Sequence, residues 1–354
     1  MTSRSWGAAA LAVLVCLGGC AVQSKKSLKE GQLAALQPLD VKLGVLRPEL
    51  SAQFEVSTAG VAGAAACGAI PGIGILLAAA CGAAAGSIDA SVNAERAKTA
   101  EQTILPLKNA VADLDFESLA RANVSDGLTT LPSVKVAGVT RVMGVSPAIY
   151  EQEFKASTAS TVMFITFDYH LTKNFDTFEV TARTHVFPRT PQARAAVAVP
   201  EIPAGSTVSQ VATQYAAYNS DIVYSFKLPK PGADNAANVA LWQADNGRLL
   251  RAAETDGLRQ LTAFLMEDLK RVGDLVLSNP NRQVDVSPGV KAQFVARSDD
   301  GEMLRLANGT FLFNADLTRA VQRYEASLPA NNKLASVTAP TPDKPATGPT
   351  VDVK

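Results

Sequence analysis

The residues with the most distinctive chemistry in this sequence are its four cysteines, Cys16, Cys20, Cys67 and Cys81. Cys20 follows the small residues Gly18 and Gly19 at the end of a short apolar run. Small residues after such a run are typical of the cleavage site of a secretory signal peptide. Because a thiol is a nucleophile and this one stands where an exported chain is processed, Cys20 is the first candidate for a functional residue.

Residues 1–20 have the three parts of a secretory signal, namely a basic start at Arg4, an apolar centre and small residues before the cut. The run from Trp6 to Gly19 is shorter than the roughly 20 residues that a membrane-spanning helix needs. The sequence Leu17-Gly18-Gly19-Cys20 resembles the lipobox of bacterial lipoproteins. This resemblance implies that residues 1–19 are removed as a lipoprotein signal peptide and that the Cys20 thiol carries a covalent lipid on the new N-terminus.

The same resemblance implies a location. Several acyl chains at one terminus form a durable anchor, because each buried methylene contributes about 0.8 kcal/mol and a single chain is only marginal. Ala21, and not an aspartate, follows Cys20, which in bacterial lipoproteins favours the outer over the inner membrane. We therefore expect a lipid anchor in the outer membrane, with the protein facing the periplasm.

A second distinctive segment, from Val56 to Ile88, is uncharged and built mostly from Ala, Gly, Ile and Leu. Its small residues recur every fourth position and would form a groove along one helix face, in which a second helix can approach closely. The segment resembles the glycine-zipper hairpins of outer-membrane lipoproteins. The candidate groove residues are Gly60, Ala64, Gly68, Gly72, Ala78, Gly82 and Gly86.

Pro71 and the glycines after it favour a turn within this segment, so we expect a helical hairpin. A hairpin centred on Gly74 would bring Cys67 opposite Cys81, and these two residues are the candidate disulfide of the exported protein. The sequence leaves open whether the hairpin inserts in a membrane, packs within the protein or a partner, or is replaced by a single kinked spanning helix.

A third candidate is a polar cluster on a β-hairpin predicted over residues 162–187, where apolar and polar residues alternate. With Leu171 opposite Phe178, the register pairs His170 with Glu179, Asp168 with Thr181, and Thr166 with Arg183. A histidine, two carboxylates and an arginine on one sheet face could bind a ligand or act as acid and base. The simpler interpretation, which we favour, is a solvated face of cross-strand polar pairs.

Other chemistry finds little support in the sequence. The mature region lacks the common hydrolase, metalloprotease and phosphate-binding motifs, so we expect no catalytic residues and no enzyme activity. The two histidines are predicted to lie too far apart to share a metal, and we expect no metal and no cofactor besides the lipid on Cys20. The chain has 33 basic and 33 acidic residues, so no net charge favours nucleic acid as a partner.

The elements that position these residues predict an α+β fold. Runs of helices and strands, without strict alternation, indicate an antiparallel sheet packed by helices, including one long C-terminal helix over Asn235 to Leu277 that bends at Asn246-Gly247. Asn308-Gly309 indicates a hairpin in a small C-terminal β unit. The expected divisions are 1–19 signal peptide, 20–55 lipidated N-terminus and linker, 56–105 apolar hairpin and extension, 106–279 α+β domain, 280–328 small β-hairpin and helix unit, and 329–354 disordered tail.

Two functions fit this organisation. The first is a non-catalytic cell-envelope lipoprotein that acts as a scaffold or assembly component, with the membrane, an envelope protein or a second copy of itself as partner. The second is a periplasmic carrier of a lipid or small apolar ligand held between sheet and long helix. A filled interface beneath the long helix favours the scaffold, whereas a deep apolar cavity there favours the carrier.

Overall fold

The computed structural model describes residues 25–55, 87–131, 134–208, 214–273, 275, 281–287 and 290–329. These residues form an α+β fold around one ten-stranded sheet. The strands are β1 Leu39–Val45, β2 Ser51–Ala52, β3 Val136–Arg141, β4 Thr161–Leu171, β5 Thr177–Pro188, β6 Tyr218–Lys227, β7 Gln283–Ser287, β8 Val290–Ser298, β9 Gly301–Leu306 and β10 Phe311–Ala315.

Five helices of the described residues begin at a polar cap. Asp115, Ser146, Thr190, Asp234 and Asp316 each accept a backbone N–H of the first turn, which stabilises the helix start. The helices are α1 Gln32–Ala35, α2 Ser87–Thr103, α3 Leu105–Ala110, α4 Phe116–Thr129, α5 Pro147–Ala156, α6 Pro191–Val197, α7 Asn235–Lys270 and α8 Leu317–Ser327.

The sheet is mixed, so the prediction of an antiparallel sheet is wrong in part. Its order is β3-β1-β4-β5-β6-β10-β9-β8-β7, with β2 beside β4. The β4–β5–β6 centre is antiparallel, but β1 runs parallel to both β3 and β4, and β10 runs parallel to β6. The parallel pairs join residues that are distant in sequence, and no local turn signal announces such pairings.

Three predicted divisions, 20–55, 106–279 and 280–328, contribute strands to this one sheet. Residues 20–55, which were predicted to be the lipidated N-terminus and a linker, contain the almost wholly buried strand β1. Residues 280–328 contribute four strands that continue the sheet through the β6–β10 pair. The Asn308-Gly309 hairpin joins β9 to β10 as predicted, with Gly309 at φ +87.

The main core lies between one face of the sheet and the helices α3, α4, α7 and α8. The predicted bend in the long helix is confirmed, because residues Ala244 to Gly247 have non-helical backbone angles. The helix ends at Lys270, earlier than the predicted Leu277. Trp242 of this helix is fully buried and donates its indole N–H to the Phe175 carbonyl over 2.8 Å.

The strand register defines two ends of the sheet. The end that contains Thr161, Pro188 and Tyr218 is called the basal end. The end that contains Leu171, Thr177 and Lys227 is called the apical end. Residues 25–38 cross the basal end from β6 to the start of β1. Gln53, by contrast, donates its backbone N–H to the Leu171 carbonyl at the apical end.

Candidate functional site

The N-terminal segment is fixed to the basal end of the sheet by a buried ion pair. The Lys25 ammonium contacts the Asp268 carboxylate of α7, and the two side chains are 2% and 0% exposed. The Tyr218 hydroxyl donates to the same carboxylate over 2.5 Å, and Arg271 lies 3.5 Å from its other oxygen. Because a buried charge is costly unless paired, these contacts make residue 25 an integral part of the fold.

Lys26 continues this attachment. Its backbone pairs with Asn219 of β6, with N–H to O distances of 2.8 and 3.1 Å in the two directions. Its ammonium donates to the carbonyls of Gln214 and Ala216 at 3.0 and 2.9 Å. Partial burial lowers the pKa of Lys26. The attachment therefore uses both backbone and side chain, a few residues beyond Cys20.

The predicted hairpin of β4 and β5 is confirmed together with its register. Leu171 lies opposite Phe178, His170 opposite Glu179, Asp168 opposite Thr181, and Thr166 opposite Arg183. The expectation of a solvated polar face is wrong, since His170, Glu179 and Thr181 are all buried. The cause is that further chain segments cover this face, which the alternating pattern of the hairpin cannot reveal.

His170 is held between two carboxylates on the buried polar face. Its Nε2 lies 3.3 Å from Oε2 of Glu179, and its Nδ1 lies 3.4 Å from Oδ2 of Asp168. The side-chain amide of Gln53 is 2.6 Å from the same Nε2. Burial alone lowers the pKa of His170, but the two carboxylates outweigh it and raise the pKa to about 9. The two carboxylates therefore favour the charged form of the His170 ring at neutral pH.

The second of the two histidines, His185, lies elsewhere on the same face. His185 is opposite Phe164 and stacks near Phe187, with 6.0 Å between ring centroids. Burial lowers the pKa of His185 to about 4, so this ring is neutral at neutral pH. The two histidines therefore lie apart on this face, as the predicted register places them. Their pKa values are shifted in opposite directions.

Helix α5 covers the basal half of this face. Tyr150 packs against Phe164, with 4.6 Å between ring centroids, and its hydroxyl contacts Thr166. Phe154 packs edge-on against Phe187 at 6.1 Å. Arg183 pairs with Asp221 over 3.0 Å on the neighbouring strand. The polar residues of this face therefore serve packing and pairing between elements.

A surface cleft of about 460 Å³ lies at the apical end. It is lined on one side by Gln53 and Glu55, on another by Arg96 of α2, and on a third by Lys173 and Asn235. The Arg96 guanidinium donates to the Glu55 carbonyl over 2.8 Å, which joins the two chain ends that flank residues 56–86. The cleft is lined by polar and apolar side chains in similar measure and by charges of both signs.

The residues predicted from motifs lie outside the described residues. They are Cys20, Cys67, Cys81, Gly60, Ala64, Gly68, Gly72, Ala78, Gly82 and Gly86. Across the described ranges, no helix is both long enough and apolar enough to cross a membrane. In that same part of the chain, no group of three or more His, Cys, Asp or Glu side chains is arranged to hold a metal ion.

The sequence interpretation missed Asp268, although a signal was present. Asp268 lies seven residues after Leu261 and three after Leu265, so it belongs to the apolar stripe of α7. A carboxylate in such a stripe indicates a buried partner, which here is Lys25. The sequence does not identify Lys25 as this partner, because 243 positions separate the two residues.

No protein-family model matches this chain, and a search of curated proteins returns no match.

Proposed function

We propose that this protein is a non-catalytic lipoprotein of the bacterial cell envelope, anchored in the outer membrane through a lipid on Cys20 and facing the periplasm. It acts there as a scaffold or assembly component. The observation that carries the proposal is the buried attachment of Lys25 and Lys26. Only residues 21–24 separate Cys20 from this attachment, so an anchor on Cys20 holds the folded domain directly at the membrane.

The packing beneath α7 supports a scaffold in preference to a carrier. A Cβ atom placed on Gly257 would lie 3.0 Å from Phe226 and 3.2 Å from Val180, so helix and sheet are in close contact there. Leu250, Leu258, Leu261 and Leu265 are all fully buried along the same helix. An interface of this density leaves no room for a lipid between these residues.

The charged clusters support a non-catalytic role. Asp268 is engaged by Lys25, Tyr218 and Arg271, and Asp256 is engaged by two nitrogens of Arg323 at 2.8 and 2.6 Å. His170 is engaged by two carboxylates. Side chains held in this way fix one element to another, and each charge is already paired within the fold.

The test substitutes Cys20→Ser in the full precursor. We expect loss of labelling by radioactive palmitate and a precursor that is either unprocessed or released from membranes, because serine has no thiol to acylate. Cys67→Ser is the matched control and should label like the wild type. Labelled Cys20→Ser protein would show the lipoprotein assignment to be wrong.

The same variant separates the scaffold from the carrier. Cys20→Ser protein, purified from the released fraction, is extracted with organic solvent and the extract analysed by mass spectrometry. A scaffold yields no lipid in stoichiometric amount, whereas a carrier yields about one molecule per chain. Recovery of a stoichiometric lipid would reject the scaffold and leave the anchor assignment unaffected.

A further inference from the structure

The N-terminal attachment and the ends of the apolar segment lie at opposite ends of the sheet. Lys26 pairs with Asn219, which is level with Phe164 of β4, whereas Gln53 pairs with Leu171 of the same strand. From Phe164 to Leu171 the strand rises roughly 23 Å at the usual 3.3 Å per residue. Residues 56–86 therefore leave and re-enter the described fold near its apical end.

The chain between Cys20 and Lys25 limits how far the domain can stand from its anchor. Five peptide units separate these two residues, and a fully extended chain covers at most about 3.6 Å per residue. Their Cα atoms are therefore no more than about 18 Å apart. Since Lys25 is buried in the domain, this limit keeps the part of the basal end around Lys25 and Asp268 close to the anchor.

The basal end also carries four cationic side chains, those of Lys26, Lys29, Lys291 and Arg305, and together with the neighbouring Ala307 we call these residues the basal edge. Gly309 contacts Lys25, and Ala307, Arg305 and Lys291 line one shared surface depression close by. Lys29, Lys291 and Ala307 are exposed.

Two acidic side chains lie beside these cations in the chain or in the strand register. Glu30 lies next to Lys29 in the chain, and Asp285 lies opposite Lys291 in the β7–β8 pair. The cationic side chains thus outnumber the acidic ones at this edge, although the chain as a whole has no net charge. A cationic edge is attracted to anionic lipid headgroups, and the attraction extends over about 10 Å at 0.1 M salt.

We propose that the basal edge faces and contacts the anionic lipid headgroups of the anchoring membrane, so that the sheet stands on its basal end and its apical end points into the periplasm. This inference rests on the acylation of Cys20 in the proposed function. It also orients the apical cleft, and it places the two ends of the apolar segment on the side away from that membrane.

The test measures depth with fluorescent probes on acylated protein purified from envelopes. In a Cys67→Ser, Cys81→Ser background, the dye NBD is attached at Ala307→Cys on the basal edge or at Lys173→Cys at the apical end. Each protein is reconstituted in phosphatidylethanolamine and phosphatidylglycerol vesicles that contain headgroup nitroxide lipid. We expect strong quenching at position 307 and little at position 173. Equal quenching, or stronger quenching at position 173, would overturn the orientation.

Charge reversal provides the matched comparison. Lys29→Glu with Lys291→Glu should reduce quenching at position 307 by at least about twofold in these vesicles, because each removed cation weakens the attraction to anionic headgroups. Lys173→Glu with Lys230→Glu changes the charge equally at exposed apical positions and should leave the quenching unchanged. An equal effect of both pairs would contradict a specific role for the basal edge.

The mass of the N-terminal peptide is measured on every sample. An unmodified Cys20 peptide would refute the proposed function and, with it, this orientation. A lipidated peptide combined with reversed probe quenching refutes the orientation alone, so the two failures are distinguishable.

Discussion

The two faces of the β4–β5 hairpin are both buried, but by different means. On the first face, Phe167, Leu171, Phe178 and Val180 are fully buried against the helices of the main core. On the second face, a smaller apolar cluster around Phe187 is continued by ion pairs and polar contacts. The first face is completely buried and the second largely so, and the two faces differ in the contacts that replace water.

The two faces are stabilised by two different kinds of interaction. The first face is stabilised by apolar area, which contributes about 25 cal/mol per Å² and has no direction. The second face depends on defined partners, because burying His170 is tolerable only while both carboxylates remain beside it. A substitution on the first face should therefore lower the free energy of unfolding in proportion to the side-chain volume that it removes. On the second face, the loss should depend on which pairing contacts the substitution breaks.

The largest effect is expected from Phe178→Ala on the first face. Removing this fully buried ring leaves a cavity in the main core and should lower the free energy of unfolding by about 3–5 kcal/mol. Urea unfolding of the mature Cys20→Ser chain measures the change. Phe187→Ala on the second face is the comparison and should cost less, because its neighbours Tyr150 and Phe154 are only partly buried. A larger loss for Phe187→Ala would reverse the contrast.

The hairpin itself was predictable because its information is local. Alternation fixed both strands, the loop at Lys173 to Asp176 fixed the register, and Leu171 opposite Phe178 follows from these two. Helix caps such as Asp316 and the Asn308-Gly309 turn are local in the same sense. Elements of this kind carry their signal within a few residues.

The burial of the second face was not predictable, because it depends on chain segments far away in sequence. Gln53 reaches His170 across 117 positions, and Tyr150 reaches Thr166 from a helix that the apolar pattern did not indicate. The parallel β1–β4 pair likewise joins residues more than 100 positions apart. An alternating strand reports which residues share a face, but it does not report what covers the polar face.

A smaller effect is expected from Glu179→Gln on the second face. The substitution removes one of the two carboxylates beside His170 and should cost about 2–3 kcal/mol, because the buried imidazolium keeps only Asp168. The pKa of His170 should fall from about 9, as followed by imidazole NMR signals. Since the folded pKa exceeds the ordinary 6.5, the stabilisation is fully present below pH 6.5 and is lost as the pH rises through 9.

Glu302→Gln is the matched control for this prediction. Glu302 pairs with Arg297 over 3.0 Å, but that arginine is mostly exposed, and an exposed pair contributes about 0–1 kcal/mol. The stability profile of Glu302→Gln should keep the dependence between pH 6.5 and 9. If Glu179→Gln is no more harmful than Glu302→Gln, the second face does not depend on pairing.

The helix layer that covers the first face includes a buried acidic side chain. Glu254 of α7 is 1% exposed, and its Oε1 has no hydrogen-bond partner among the described residues. Burial raises the pKa of Glu254 from 4.5 to about 8. The folded protein therefore prefers the protonated carboxyl, and the stability present below pH 4.5 is lost as the pH rises towards 8.

The smallest effect, and one of opposite sign, is expected from Glu254→Gln. Glutamine resembles the protonated carboxyl in shape but cannot ionise, so the variant should gain about 1–2 kcal/mol in free energy of unfolding at pH 8. At pH 4 the gain should be close to zero, because the wild-type carboxyl is then mostly protonated in both the folded and the unfolded chain. Glu267→Gln, on the same helix but 64% exposed, should change stability little at either pH. A loss of stability in Glu254→Gln at pH 8 would mean that the ionised carboxylate is paired, and the apolar face would then depend on pairing as the polar face does.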